Sequence, residues 1–572
     1  MKRFLLWMFS LLALLLLMIF VMGLVAVRQF KGGTQAAVGG NSLLVLRWDG
    51  TLPGHGVPLM ERSTGRQLSL STLIPAIERA AEDDRIKAIV VEGDASMSRE
   101  HLFELAQALE HFRASGKPIH AHLAMASDAQ YQLACLADRL SLSDASSSGL
   151  IFIGTAIHQT YRRELMDRLG VRMRVRHVGE AKGFGENWVL DSMSVAVREN
   201  MSLLVEDRQH LYAQWVGSAR DINPEEFRAL SEAPDRFLLT PSEALEAGLV
   251  DVLESHRQWE DYLKEQFGAY QLLEVGEWVA SQPEPAVGDH VAVVWAEGEI
   301  LPGRSNDTGA VRIHGETLAR DLGRLAEDPQ VKAVVLRVES PGGAVQPSEE
   351  VYLELQRLAG MKPLVVSMGS MAASGGYYIS LPGAMIMASP WTVTGSIGVV
   401  AMLPDLEGSF KKLGLNEDGV FSTPLSRLVI GEPVPQGLLD AMGRSMEEIY
   451  RVFTGRVLQH RPLSPEDLPA WAGGRVWSGL RANSAGLVDS LGTLADAISA
   501  ASGLAGGVDG IRHYPVQEDL LELLFSGRLR PRDLFPMLGQ TQLPAEVLDL
   551  LAPLDTDPRS MIRSEWEWEL LE

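Results

Sequence analysis

The chain repeats itself once, and no other feature constrains its fold as much. Residues 43–52 begin with an apolar run and end in Trp48-Asp49-Gly50-Thr51-Leu52, and residues 291–300 likewise end in Ala296-Glu297-Gly298-Glu299-Ile300. Asp84-Arg85-Ile86-Lys87-Ala88-Ile89-Val90-Val91 matches Pro329-Gln330-Val331-Lys332-Ala333-Val334-Val335-Leu336, and Gly116-Lys117-Pro118 matches Met361-Lys362-Pro363. Further on, Asn223-Pro224-Glu225-Glu226 matches Ser464-Pro465-Glu466-Asp467, and Ala247-Gly248-Leu249-Val250-Asp251 matches Ala485-Gly486-Leu487-Val488-Asp489. The offset drifts only from 248 to 238 residues. A period this long marks a duplicated domain, not a solenoid unit.

Each copy alternates strand-like and helix-like stretches. Residues 86–91 and 331–338 are apolar and β-branched, as buried strands are. Leu102, Leu105, Ala106, Leu109 and Phe112 share one helical face. Residues 118–123 and 363–366 read as the next strands, and residues 192–216 and 435–458 as long helices. Repeated β-α-β units predict a layered α/β fold. We expect an N-terminal repeat over 41–267, a linker over 268–288, a C-terminal repeat over 289–505 and a tail over 506–572.

At 572 residues the chain exceeds what one core serves. Its net charge of −23 argues against nucleic-acid binding, which needs basic side chains to neutralise phosphates. The single cysteine, Cys135, cannot form an internal disulfide or a cysteine-based zinc site, and reads as a buried thiol. No metal or cofactor is expected. Lys2 and Arg3 precede an uncharged run over residues 4–27, which as a helix would span about 36 Å. That favours a membrane anchor over 1–28 against the alternative of a cleaved signal peptide, for which Ala26-Val27-Arg28 is a poor processing site; Lys2 and Arg3 favour a cytoplasmic N-terminus, while Arg28 and Lys31 on the other side weaken that bias.

The copies differ where chemistry could sit. The second has Ser340-Pro341-Gly342-Gly343 after its first long strand, where the first has Ala95-Ser96-Met97-Ser98. The second has Met371-Ala372-Ala373-Ser374-Gly375-Gly376-Tyr377-Tyr378 after its next strand. Aligning Tyr131 with Tyr377 sets Asp128 opposite Ser374. Glycines in a turn let backbone N–H groups approach a ligand, as an oxyanion hole requires. Ser374 reads as a nucleophile at a strand-to-helix turn, although a tight helix–sheet contact would carry the same small residues. No histidine lies within fifty residues of it and no Gly-x-Ser-x-Gly elbow surrounds it. The first copy supplies Gly179-Glu180-Ala181-Lys182-Gly183-Phe184, and residues 422–428 of the second contain no lysine. A lysine in such a loop is ordinarily a solvated charge. To act as a base its pKa must fall from about 10.4 toward 7, about 4 kcal/mol against the charged form. Burial supplies that, and Gly183 and Phe184 suit a crowded apolar pocket.

With these motifs and Thr394-Gly395-Ser396-Ile397-Gly398, the chain resembles the signal peptide peptidase A family, also called protease IV, in its long tandem-repeat form. The resemblance covers residues 43–492 and the N-terminal anchor. It implies tandem crotonase-like domains related to the Clp protease subunit, and a Ser/Lys dyad of Ser374 and Lys182. With that dyad go an oxyanion hole at Gly342 and Gly343, with Gly375 as a further donor, and Ser396 as the candidate that orients the lysine, although a serine in a glycine-flanked stretch is equally a plain turn residue. The implied substrates are remnant signal peptides and other apolar peptides. The implied assembly is a homotetrameric bowl at the bacterial inner membrane, with catalytic domains on the periplasmic side. Residues 183–187, Gly-Phe-Gly-Glu-Asn, depart from the family pattern. Two rivals stand beside this reading: a crotonase-type acyl-CoA enzyme and a non-catalytic membrane scaffold.

Overall fold

A computed structural model describes residues 38–516, except 48–51, 57–67, 93–96, 234–235, 283–287, 305–311, 424–425 and 427–430. The expected anchor and residues 517–572 lie outside the described residues. Among the described residues, no helix is long and apolar enough to cross a membrane.

Two sheets dominate, built in the same order and parallel apart from the antiparallel pair Val393–Gly395 and Val476–Ser478 at one edge of the second. The first runs Gln271–Glu274, Ser42–Leu46, Ile86–Glu92, Ile119–Leu123, Arg139–Leu142, Val252–Leu253. In the second, Gly510–Tyr514, His290–Glu297, Val331–Ser340, Leu364–Ala373, Met385–Ala388 and Ser490–Leu491 follow one another the same way. Helices cover these sheets, so strands such as Ser42–Leu46 are buried at every position. The long helices are Val195–Arg220 and Gln436–His460. Cys135 is wholly buried, and its thiol is pushed up to about 12, an inert core group.

Side chains repeat with the backbone. Tyr131 donates to the Leu249 carbonyl at 2.7 Å, and Tyr377 to that of Leu487 at 2.9 Å. Asp251 accepts the Leu140 N–H and Asp489 that of Ile386, each at 2.7 Å. Lys117 closes the loop after Ala80 by donating to two carbonyls, and Lys362 does the same after Leu325. The Tyr131–Tyr377 alignment, and with it Asp128 opposite Ser374, therefore has a structural basis. Tyr131→Phe and Tyr377→Phe should each cost about 1–3 kcal/mol, because each strands a buried carbonyl. Urea titration of the two variants measures it.

Two boundaries need correction. Within the expected linker 268–288, Gln271–Glu274 is an edge strand of the first sheet. The helix Val275–Ser281 buries Val275 and Trp278, whose indole N–H donates to the Ala76 carbonyl at 2.8 Å. Likewise Gly510–Tyr514, assigned to the tail, pairs with His290–Glu297. Both are short, polar-speckled edge strands with no apolar run to reveal them.

The two halves meet in a third, antiparallel pairing. Arg172–Val178 of the first runs against Val399–Asp405 of the second, from Val178↔Val399 to Arg172↔Asp405. One strand leads into Gly179 and Lys182; the other leaves Ser396. That ladder carries the lysine loop to the serine turn.

Candidate active site

Ser374 ends the strand Leu364–Ala373 and sits at φ 54°, ψ −117°. An L-residue holds such a conformation only when its surroundings fix it. Here its N–H donates to the Gly395 carbonyl at 2.9 Å and its carbonyl accepts the Tyr378 N–H at 2.9 Å. Its hydroxyl does not cap the following helix Gly375–Ser380, and the turn aims it at the lysine instead. Ser396 is strained in the same sense, φ 51°, with its N–H donated to the Arg475 carbonyl at 2.6 Å.

Glycines bring the lysine in. A Cβ on Gly179 would stand 2.6 Å from the Gly473 carbonyl carbon, and one on Gly474 2.5 Å from the Lys182 nitrogen and Cβ. The Ala181 N–H donates to the Gly473 carbonyl at 2.9 Å. Lys182 Nζ then lies 3.0 Å from Ser374 Oγ, 2.9 Å from Ser396 Oγ and 3.0 Å from the Ser396 carbonyl. The side chain is only 5% exposed. Burial alone pulls its pKa from 10.5 down to about 8, since no carboxylate opposes it. The expectation for Phe184 fails: it is 61% exposed. The lysine is dried by the Gly473–Gly474 turn and the two serines, while Gly183 leaves room for Val197.

The oxyanion donors also need one correction. The Gly342 N–H is taken by Ser340 Oγ at 3.2 Å. Gly343 bridges Ile300 in parallel fashion: the Ile300 N–H donates to the Gly342 carbonyl and the Ala344 N–H to the Ile300 carbonyl, both at 2.8 Å. That geometry turns the Gly343 N–H to the opposite side, and it lies 3.3 Å from where a Cβ on Gly375 would be. Among the described residues, neither the Gly343 nor the Gly375 N–H has an acceptor. The pair free to hold an oxyanion is therefore Gly343 and Gly375, and Gly342 contributes closeness: a Cβ there would stand 2.8 Å from Ser374 Cβ.

Peptidase family S49 matches residues 111–269 and 356–507, more than half of the chain. The chain belongs to Peptidase family S49. It is 34% identical to Protease 4 of Salmonella typhi over 84% of this chain and 79% of that protein. With Protease 4 of Haemophilus influenzae it shares 31% identity over 85% and 83%. With the chloroplastic Serine protease SPPA of Arabidopsis thaliana it shares 26% over 79% and 68%. As an S49 member it is a serine peptidase with two S49 regions of α/β structure.

Sequence reading missed two parts of this S49 site. One is the Gly473–Gly474 turn that receives the lysine; its paired glycines were a signal. The other is a carboxylate, Glu339, that joins the serine strand to the glycine turn. It lies just past the apolar run 331–338, in the strand Val331–Ser340, and belongs to no motif that singles it out.

Proposed function

We propose that the chain is an endopeptidase in which Ser374 is the nucleophile and Lys182 the general base. The observation that carries this is the 3.0 Å approach of Lys182 Nζ to Ser374 Oγ across the two copies. Neutral Lys182 takes the hydroxyl proton as Oγ attacks the peptide carbonyl. The Gly343 and Gly375 N–H groups receive the oxyanion. The resulting ammonium protonates the leaving amine, and the neutral amine then activates the water that hydrolyses the acyl-enzyme. Ser396 orients the amine with its hydroxyl and carbonyl.

The substrates we infer are remnant signal peptides and other apolar peptides. Support comes from the family resemblance and from partly exposed apolar side chains beside the site: Met371 before the serine, Val345 after the glycine turn and Phe184 after the lysine. The membrane anchor, the inner-membrane location with periplasmic catalytic domains and the crotonase-like classification are proposals of the same standing, resting on the N-terminal apolar run and the resemblance.

A homotetrameric ring is likewise our reading, supported by two strand counterparts. Pairing of Ala126 with Leu150 and of Ala372 with Thr394 sets Gly154 opposite Gly398. Residues 155–161 are thus the counterpart of Val399–Asp405. The left-handed Gly170 and Gly414 likewise set residues 416–422 opposite Arg172–Val178. Neither counterpart has a strand partner among the described residues. A cavity of about 850 Å³, lined by Phe152, Ile153, Met201 and Phe237 among others, occupies the first copy's equivalent of the lysine-loop cradle. Head-to-tail pairing of two such unlike surfaces closes a ring when the rotation between subunits divides a full turn, and otherwise builds a filament. Light scattering of the purified chain tests the number.

The pH profile tests the base. Only the unprotonated amine works, so kcat/KM for an apolar reporter peptide should rise with pH and level off above a midpoint near pH 8. At pH 6 it should be about one-hundredth of the plateau. A limb near the ordinary histidine value that survives Lys182→Ala would redirect the assignment to a histidine. Turnover of an acyl-CoA without peptide hydrolysis would favour the crotonase-type rival, and no turnover of either the scaffold.

A further inference from the structure

The strands Val331–Ser340 and Leu364–Ala373 run in step from Val334↔Leu364 to Val338↔Met368, then slip, and Ser340 pairs with Ala372. Residues 369–371 face the single residue Glu339 across that slip. A bulge of this kind bends the strand and strands backbone groups. Here a carboxylate fills it. Glu339 Oε2 accepts the Ser370 N–H at 2.9 Å and the Ser370 hydroxyl at 2.5 Å. Oε1 accepts Arg337 Nη2 at 2.9 Å and Nε at 3.2 Å, and lies 3.2 Å from His101 Nε2. Gly369 has no alternative, since a Cβ there would stand 1.6 Å from Oε1. Arg337 is wholly buried and also pairs with Glu104 at 2.6 Å. His101 and Glu104 belong to the helix Arg99–Ala114 of the first copy.

Glu339 stands four residues before Gly343, and Ser370 four before Ser374. One carboxylate therefore ties the glycine turn to the serine turn, and ties both to the half of the chain that brings Lys182. We propose that Glu339 is the positioning residue of this site: its carboxylate sets the register of the bulge, and so the distance from Ser374 Oγ to the oxyanion N–H groups. The Arg337–Glu104 pair is a structural bridge between the halves. The inference rests on the Ser374/Lys182 reading above.

The test uses the full chain and an apolar reporter peptide, with kcat, KM and thermal midpoint read for Glu339→Gln, Glu104→Gln and Ser370→Ala. Glu339→Gln keeps the volume and should lower kcat by about 100-fold with KM changed less than about twofold, as expected for reacting groups displaced by an ångström. Glu104→Gln should lose as much thermal stability yet keep kcat within about threefold of wild type. Ser370→Ala keeps its N–H and should lose about five-fold in kcat at an unchanged midpoint. A Glu339→Gln kcat within about threefold of wild type overturns the proposal, and so does a kcat loss that follows the midpoint equally in both glutamate variants. If Glu339→Gln does not fold, Ser370→Ala decides, and an unchanged kcat overturns it. A Ser374→Ala variant that stays active would instead sink the underlying reading, whereas an inactive Ser374→Ala beside a fully active Glu339→Gln sinks this inference alone.

Discussion

Ser374→Ala and Lys182→Met are each expected to lower kcat/KM for an apolar reporter peptide by at least about 10³-fold, because in the proposed mechanism nucleophile and base act as a unit. Joining the two changes should cost little more than either alone. Ser374→Ala should also lose covalent labelling by a fluorophosphonate, while Lys182→Met keeps the hydroxyl and should label far more slowly. Stability should move the other way. Burial disfavours the Lys182 ammonium and draws its pKa from 10.5 to about 8, so at pH 7 the folded protein still holds a mostly charged amine in a dry site. An unfolded lysine is charged at pH 7, so folding the wild type costs about 3 kcal/mol through this group. The penalty is fully present below pH 8 and fades as pH rises toward 10.5. Lys182→Met should therefore be at least as stable as wild type at pH 7, with the advantage shrinking above pH 8 in urea titrations. A methionine variant much less stable at pH 7 would mean that Ser374 and Ser396 hold a satisfied ammonium, and the lysine could not serve as base.

How much of this was legible in the sequence follows from what kind of signal each part leaves. The duplication was legible because buried parallel strands demand apolar runs, and Ile86–Glu92 and Val331–Ser340 keep them in both copies. Ser374 and Lys182 were legible because each is present in one copy and absent from the other. Their meeting was not a local property. It depends on the antiparallel pairing of Arg172–Val178 with Val399–Asp405, where arginines alternating at 172, 174 and 176 leave no apolar run to mark a strand. The role of Gly342 was misjudged for a similar reason: two adjacent glycines look alike in a sequence, and only the Ile300 bridge and the Ser340 hydroxyl separate the one whose N–H is free from the one whose N–H is taken. Glu339 left no signal because it lies just past the apolar run 331–338 and belongs to no motif that singles it out. In the fold, a helix from the other copy covers it.

The oxyanion assignment separates Gly343 from Gly375 by experiment. At φ 154°, Gly343 occupies a conformation that side chains avoid, and a Cβ would stand 2.1 Å from the Ile300 carbonyl oxygen and 2.6 Å from its nitrogen. Those are backbone atoms and cannot swing aside. Gly343→Ala must therefore break the two 2.8 Å hydrogen bonds that hold the turn on Ile300, and its N–H leaves the place proposed for the oxyanion. We expect a fall in kcat of about 10²–10³-fold with a smaller change in KM, the signature of a lost oxyanion donor. Gly375→Ala meets a softer obstacle: the nearest atom to its Cβ is Ser348 Oγ, 2.7 Å away, which can rotate off its bond to the Ala344 carbonyl, and the next are the Gly342 Cα and the Gly343 nitrogen, each at 3.3 Å, which need give only by tenths of an ångström. Gly375 has no left-handed φ to lose, so its N–H should stay in place and kcat should stay within about tenfold of wild type. Steady-state kinetics on both variants, with circular dichroism to verify the fold, would read the difference. Near-normal kcat in Gly343→Ala would remove that N–H from the mechanism, because the substitution cannot leave it where it is.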